Sequence, residues 1–131
     1  MTKKVFISFN FKELGYKNDM LRLFAANGGR IEATPIQVEK DVSAGGPSAI
    51  EAEIRRVMDP CSGLIALVGS DAHNSPWIDE ELRHADRLGI PKVAVRHPQG
   101  RGGVPNSHRY LRVVEWNSQE LADMVRSWLS R

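Results

Sequence analysis

An open α/β domain spanning residues 1–131, with a five-stranded parallel sheet covered by helices on both faces, is the fold class this chain predicts. Three observations carry that reading. Apolar, β-rich runs alternate with segments whose apolar residues recur at helical spacing. The run Gly63-Leu64-Ile65-Ala66-Leu67-Val68 is apolar throughout, as a strand buried on both faces must be. A length of 131 residues is enough for one core without disulfide or metal staples.

Taken in order, Val5-Phe6-Ile7-Ser8-Phe9 reads as a buried first strand with Asn10 at its carboxyl end. A helix is expected from about Met20 to Ala26, capped near Asn18 or Asp19, with Met20 and Phe24 on one face and Gly28-Gly29 as its stop. A weak strand over 34–38 leads into a polar, glycine-bearing loop, Glu39 to Pro47, expected to be mobile. Ser48-Ala49-Ile50-Glu51 has capping-box spacing and opens a second helix with an apolar stripe of Ile50, Ile54, Val57 and Met58. After the 63–68 strand, Gly69-Ser70-Asp71 turns the chain toward a third helix, where Ser75 is the cap and Pro76 the first helical residue. A fourth strand, Lys92-Val93-Ala94-Val95, precedes a basic loop without helical period. Arg112-Val113-Val114-Glu115 forms a short fifth strand, and Asn117 with Glu120 caps a last helix bearing Leu121, Met124, Val125, Trp128 and Leu129. The default strand order is flavodoxin-like, 2-1-3-4-5, which places ligands outside the carboxyl ends of the strands at the switch point beside strand one.

Composition narrows the function classes. Hydrophobic residues at 41% and charged residues at 26% are globular values, and no run approaches the ~20 apolar residues of a membrane span. Lys3 and Lys4 precede only Val5-Phe6-Ile7 before Ser8, too short for the apolar region of a signal peptide, so a cytoplasmic location is expected. The lone Cys61 agrees with a reducing compartment and reads as a small buried hydrophobe. A net charge of +2 gives no argument for nucleic acid, although four arginines, two histidines and no acid lie between Arg96 and Arg112. The four histidines lack paired ligand spacing, so no metal site is expected. Ser8-Phe9-Asn10-Phe11-Lys12 contains no glycine, against a dinucleotide or P-loop fingerprint, and a phospho-accepting receiver would want acids where Asn10 stands.

The switch point collects Phe9, Asn10 and Phe11 after the first strand, Asp71 and His73 after the third, and Trp77 with Glu81 on the following helix. Asp79 and Glu80 point toward water, whereas Glu81 has Trp77, Ile78 and Ala85 as its neighbours at helical spacing. Desolvation there favours a neutral carboxyl and the helix N-terminus favours a charged one. Phe9, Phe11 and Trp77 suit either core packing or stacking on flat rings. Asp71 and His73 are candidates for binding substrate polar groups, and an Asx turn accounts equally well for Asp71.

Val-Phe-Ile-Ser-Phe at 5–9, the Ser-Ala-Ile-Glu helix after a Gly-rich loop, Leu-Val-Gly-Ser at 67–70 and Ser-Pro-Trp-Ile-Asp-Glu-Glu at 75–81 resemble TIR and TIR-like domains. The resemblance spans nearly the whole chain, and its specific parts are the first strand and the Trp-x-x-x-Glu helix. It is strongest to the small TIR-like proteins that include the signal-producing component of Thoeris antiphage systems. It implies a three-layer sandwich that cleaves the nicotinamide–ribose bond of NAD, with NAD as substrate rather than bound cofactor, forming ADP-ribose or a cyclic isomer that a downstream effector would read. Glu81 is then the catalytic glutamate, and Phe9, Asn10 and Trp77 line the pocket. The loop 38–47, with Asp41, Val42, Gly45, Gly46 and Pro47, matches the family's BB loop and implies assembly into homo-oligomers. One departure is the loop from His97 to Leu111, which stands where relatives carry a fourth helix.

That chemistry suits the residues present. Nicotinamide leaves a cationic glycoside as a neutral molecule, so one carboxylate suffices where an ordinary glycoside needs two. A TIR-like assembly module without chemistry and a nucleoside deoxyribosyltransferase-like enzyme are the alternative readings.

Overall fold

The computed structural model describes residues 3–10, 13–26, 33–38, 42–70, 75–116 and 118–129. Strands β1 (Lys3–Ser8), β2 (Ala33–Ile36), β3 (Gly63–Val68), β4 (Lys92–Arg96) and β5 (Val113–Val114) form one parallel sheet in the order 2-1-3-4-5. Helices α1 (Leu14–Ala26), α2 (Pro47–Met58), α3 (Pro76–Leu88) and α4 (Ser118–Leu129) alternate with the strands. The expected fold class and strand order are those observed.

The period of two along each strand sorts side chains into two cores. Val5, Ile7, Ile65, Leu67, Val93 and Val95 pack with Met20 of α1 and Leu121, Ala122 and Val125 of α4. Phe6, Leu64, Ala66, Val68 and Ala94 pack on the other face with Ile54, Val57 and Met58 of α2 and Trp77, Ile78, Leu82 and Ala85 of α3. Cys61 joins this second core, and burial pushes its thiol up to about 11.

Three local expectations are corrected. Helix α1 begins at Leu14, not near Met20. Its extra turns carry Glu13 and Tyr16 to the end of β3, where the Ser70 N–H donates to Glu13 Oε2 at 2.7 Å and the Tyr16 and Ser70 hydroxyls lie 3.2 Å apart. Tertiary contacts there override the weak helix propensity of Gly15 and Asn18. Helix α2 begins at Pro47 with Gly46 as its N-cap and no capping side chain, so Ser48 lies inside the helix and the capping box does not form. Within the described part of the 39–47 loop, Ser43–Gly45 forms a 3-10 turn and Val42 packs on the α2/α3 core. Finally, β5 is limited to Val113–Val114, and the basic loop contains a 3-10 turn at Asn106–His108.

Helix α3 starts as expected: Ser75 Oγ accepts from the Ile78 N–H at 3.3 Å, Pro76 follows, and Gly89 closes the far end. The glycines of the basic loop also gain a role. The His97 and Gly102 N–H groups donate to Val68 and Gly69 carbonyls at 3.0 and 2.9 Å. A Cβ on Gly100 would sit 2.5 Å from the Val68 oxygen, and one on Gly102 would sit 2.7 Å from that of Ser70. Only glycine allows this main chain to lie directly on the turn after β3.

Candidate functional site

Two elements meet at the carboxyl end of β1. Ser8 is the last residue of that strand and shares the parity of Phe6, so it faces α3, whose first two turns bring Glu81 over it. The Ser8 hydroxyl donates to Glu81 Oε1 at 2.7 Å. Ser8 is wholly buried and Glu81 is 3% exposed. Burial raises the Glu81 carboxyl well above its ordinary value, and the Ser8 hydrogen bond opposes that rise. The competition that the sequence left open is therefore decided by desolvation.

Trp77, one turn earlier on α3, is 3% exposed and packs in the α2/α3 core beside Glu81's helix face. Asn10 is buried just beyond β1. Phe9 belongs to the α1/α4 core, across the sheet from Trp77, with the Lys17 ammonium 5.6 Å from its ring centroid. The structure thus brings Glu81 and Trp77 together on one face and turns Phe9 to the other. Phe11, Asp71 and His73 lie outside the described residues, as does Asp41 of the loop.

Ser8 was not among the residues singled out from sequence. Its signal was a single hydroxyl in an apolar strand, two residues after Phe6 and therefore on the same face.

The described residues contain three histidine–aspartate pairs, and in one of them His84 Nε2 of α3 lies 3.1 Å from Asp59 Oδ1. His97 Nδ1 accepts from the Gln99 N–H at 3.1 Å, which leaves Nε2 to donate to Asp19 at 2.7 Å. The His97 ring also lies 4.2 Å from that of Tyr16 and 5.0 Å from that of Trp116, centroid to centroid. His108 Nε2 lies 2.7 Å from Asp86 Oδ2, and its Nδ1 lies 2.8 Å from Ser107 Oγ, which donates to Asp79. Among the described residues no group of three His, Cys, Asp or Glu side chains is placed to hold a metal ion. No described helix is long and apolar enough to cross a membrane.

Among the described residues, the larger cavities open elsewhere on the surface. One of about 470 Å³ is lined by Lys4, Ile36, Glu53, Arg56 and Pro60. The other, about 430 Å³, is lined by Asp19, Arg22, Leu23, His97 and Trp116. Neither includes Glu81, in keeping with its burial. The basic stretch is partly consumed internally: Arg96 donates to the Gly102 carbonyl and Arg112 pairs with Glu120.

The family model described as Thoeris protein ThsB, TIR-like domain, matches residues 6–101, more than half of the chain and a span that holds Ser8, Trp77 and Glu81. No curated protein matches the chain.

Proposed function

The chain belongs to the TIR-like domain family of the Thoeris protein ThsB, and from that premise we propose that it cleaves the nicotinamide–ribose bond of NAD. The products are nicotinamide and ADP-ribose or a cyclised isomer, made as a signal for an effector in antiphage defence. The observation that carries the reading is Glu81, a carboxyl buried on the inner side of α3 at the carboxyl end of β1, where an open α/β sheet binds its ligands.

Cleavage breaks the bond between ribose C1′ and the pyridinium nitrogen. The bonding pair leaves with nicotinamide, which becomes neutral, and positive charge develops on the ribose. A carboxylate in a water-poor site stabilises that charge far better than one in bulk solvent. The same cation favours the ionised form of Glu81, against the burial that favours the protonated one. Water or a nitrogen of the adenine ring then forms the new bond to C1′ and gives up one proton, to the Glu81 carboxylate or to solvent, giving the linear or the cyclic product. The exposed turn at Ala44 and Gly45 is the proposed assembly surface between copies of the chain.

Nicotinamide release from NAD tests the reading, measured at high protein concentration alongside Glu81→Gln, with products resolved by mass. Release that the substitution abolishes supports it, and the product mass separates hydrolysis from cyclisation. Base release from a nucleoside instead would favour the deoxyribosyltransferase-like alternative, and no cleavage of either would favour an assembly module.

A further inference from the structure

The geometry points to Ser8 as a positioning residue for this cleavage: its hydroxyl fixes one oxygen of Glu81 and supplies the donor that the ionised carboxylate needs inside the core. The inference rests on the NAD-cleaving reading and adds to it a residue on a different element, 73 positions away in sequence.

A serine at this place needs an explanation. Every other residue from Val5 to Phe9 is apolar and buried, and Ser8 pairs in register with Ala66 of β3. An unbonded hydroxyl in such surroundings is destabilising, and the Ser8 hydroxyl avoids that penalty through Glu81 Oε1 at 2.7 Å. The dependence is mutual. Helix α3 packs against β1, β3, α2 and the 3-10 turn Asn106–His108. From the sheet and α2 the core side chains are apolar: Phe6 from β1, Leu64, Ala66 and Val68 from β3, and Ile54, Val57 and Met58 from α2. The polar groups that meet α3 are bonded to other residues of it: Asp59 to His84, Ser107 to Asp79 and His108 to Asp86. On α3 itself Asp79 and Glu80 are only partly buried, and no charged side chain among the described residues acts on the Glu81 carboxyl; burial raises it and the Ser8 bond opposes.

A hydroxyl is also the group that can serve both states of its partner. It donates to a carboxylate and accepts from a carboxylic acid without moving a heavy atom. Ser8 can therefore hold Glu81 in place while the proton leaves and returns during turnover. Alanine cannot do this, threonine can, and cysteine does it weakly.

The experiment has an arm that needs no substrate. With the side-chain carboxyl carbons of glutamate labelled and Glu81 assigned through Glu81→Gln, its titration is followed by NMR in the wild type, Ser8→Ala, Ser8→Thr and Ser8→Cys. Ser8→Ala should titrate about one pH unit higher than the wild type, the effect of losing one hydrogen bond to a charged group. Ser8→Thr should stay near the wild type and Ser8→Cys fall between. The kinetic arm expects Ser8→Ala to lose about tenfold in kcat on the acid limb, to move that limb upward by the same interval and to keep its KM. Should Ser8→Ala not fold, Ser8→Cys reads the same displacement. A Glu81 carboxyl that titrates as in the wild type without the hydroxyl overturns the inference. If Glu81→Gln instead cleaves NAD at the wild-type rate, it is the cleavage reading that fails, while the titration still decides whether Ser8 holds the carboxyl.

Discussion

His108 Nε2 lies 2.7 Å from Asp86 Oδ2, and this contact fastens the long basic loop to the helix that carries Glu81. Asp86 also accepts from Lys92, and Ser107, whose hydroxyl donates to Asp79, lies 2.8 Å from His108 Nδ1. At Asp86, burial works to raise the carboxyl, but the hydrogen bonds from Lys92 and His108 outweigh it and the net shift is downward. A lowered carboxyl contributes stability that is present above its unfolded value and is lost as pH falls through the folded one. Asp86 is 41% exposed and its ion pairs are screened by solvent, so Asp86→Asn should flatten the acid side of the stability curve and cost about 1 kcal/mol or less at neutral pH, read by urea unfolding.

Glu81 has the opposite sign. Its folded value is raised, so above the unfolded value the native state still holds a proton that the unfolded chain has released. Stability then falls as pH rises through that interval. Glu81→Gln removes the slope, and its Tm should gain on the wild type as pH rises above the unfolded carboxyl value, as measured by scanning calorimetry. Two parallel curves would mean that the carboxyl is solvated.

Trp77 is 3% exposed and sits among Ile78, Leu82 and the β3 residues. Truncation to alanine should cost about 3–5 kcal/mol in chemical denaturation. A loss below about 1 kcal/mol would be the size of a surface substitution and would make Trp77 an exposed stacking platform instead.

For the assembly loop the choice of substitution matters. Gly46 has φ 85°, which strains any L side chain, so changing it would confound assembly with backbone cost. Ala44 is exposed on the 3-10 turn and carries no such constraint. Ala44→Arg should shift the protein toward monomer in light scattering and reduce NAD cleavage with it. An unchanged size distribution at full activity would exclude this surface from assembly.

The residues show which features a sequence makes legible. The sheet order followed from the all-apolar 63–68 run and the alternation of periods, and Ser75-Pro76 marked the start of α3 because capping is local chemistry. Helical spacing gave Glu81 its neighbours Trp77, Ile78 and Ala85 but left open whether the carboxyl is buried or solvated, which the packing of α3 on the sheet decides. What escaped is nonlocal: Ser8 meets Glu81, His97 meets Asp19 and His108 meets Asp86 across 73, 78 and 22 positions, and only the sheet register makes them neighbours. The start of α1 escaped for the same reason, since Tyr16 is held by residues beyond β3 and β4. Ser48 misled because a proline directly before it had already taken the first helical position.

The seam between the 97–103 segment and the turn after β3 is made by backbone atoms on both sides, through Val68, Gly69, His97 and Gly102. A path written in main-chain hydrogen bonds is indifferent to most of the side chains it carries. Pro98, Gln99 and Arg101 are exposed along it and can be exchanged without redirecting the loop, whereas Gly100 and Gly102 cannot. The segment is thus a fixed rail with replaceable fittings, a place where new recognition can be selected while the fold beneath it stays unchanged.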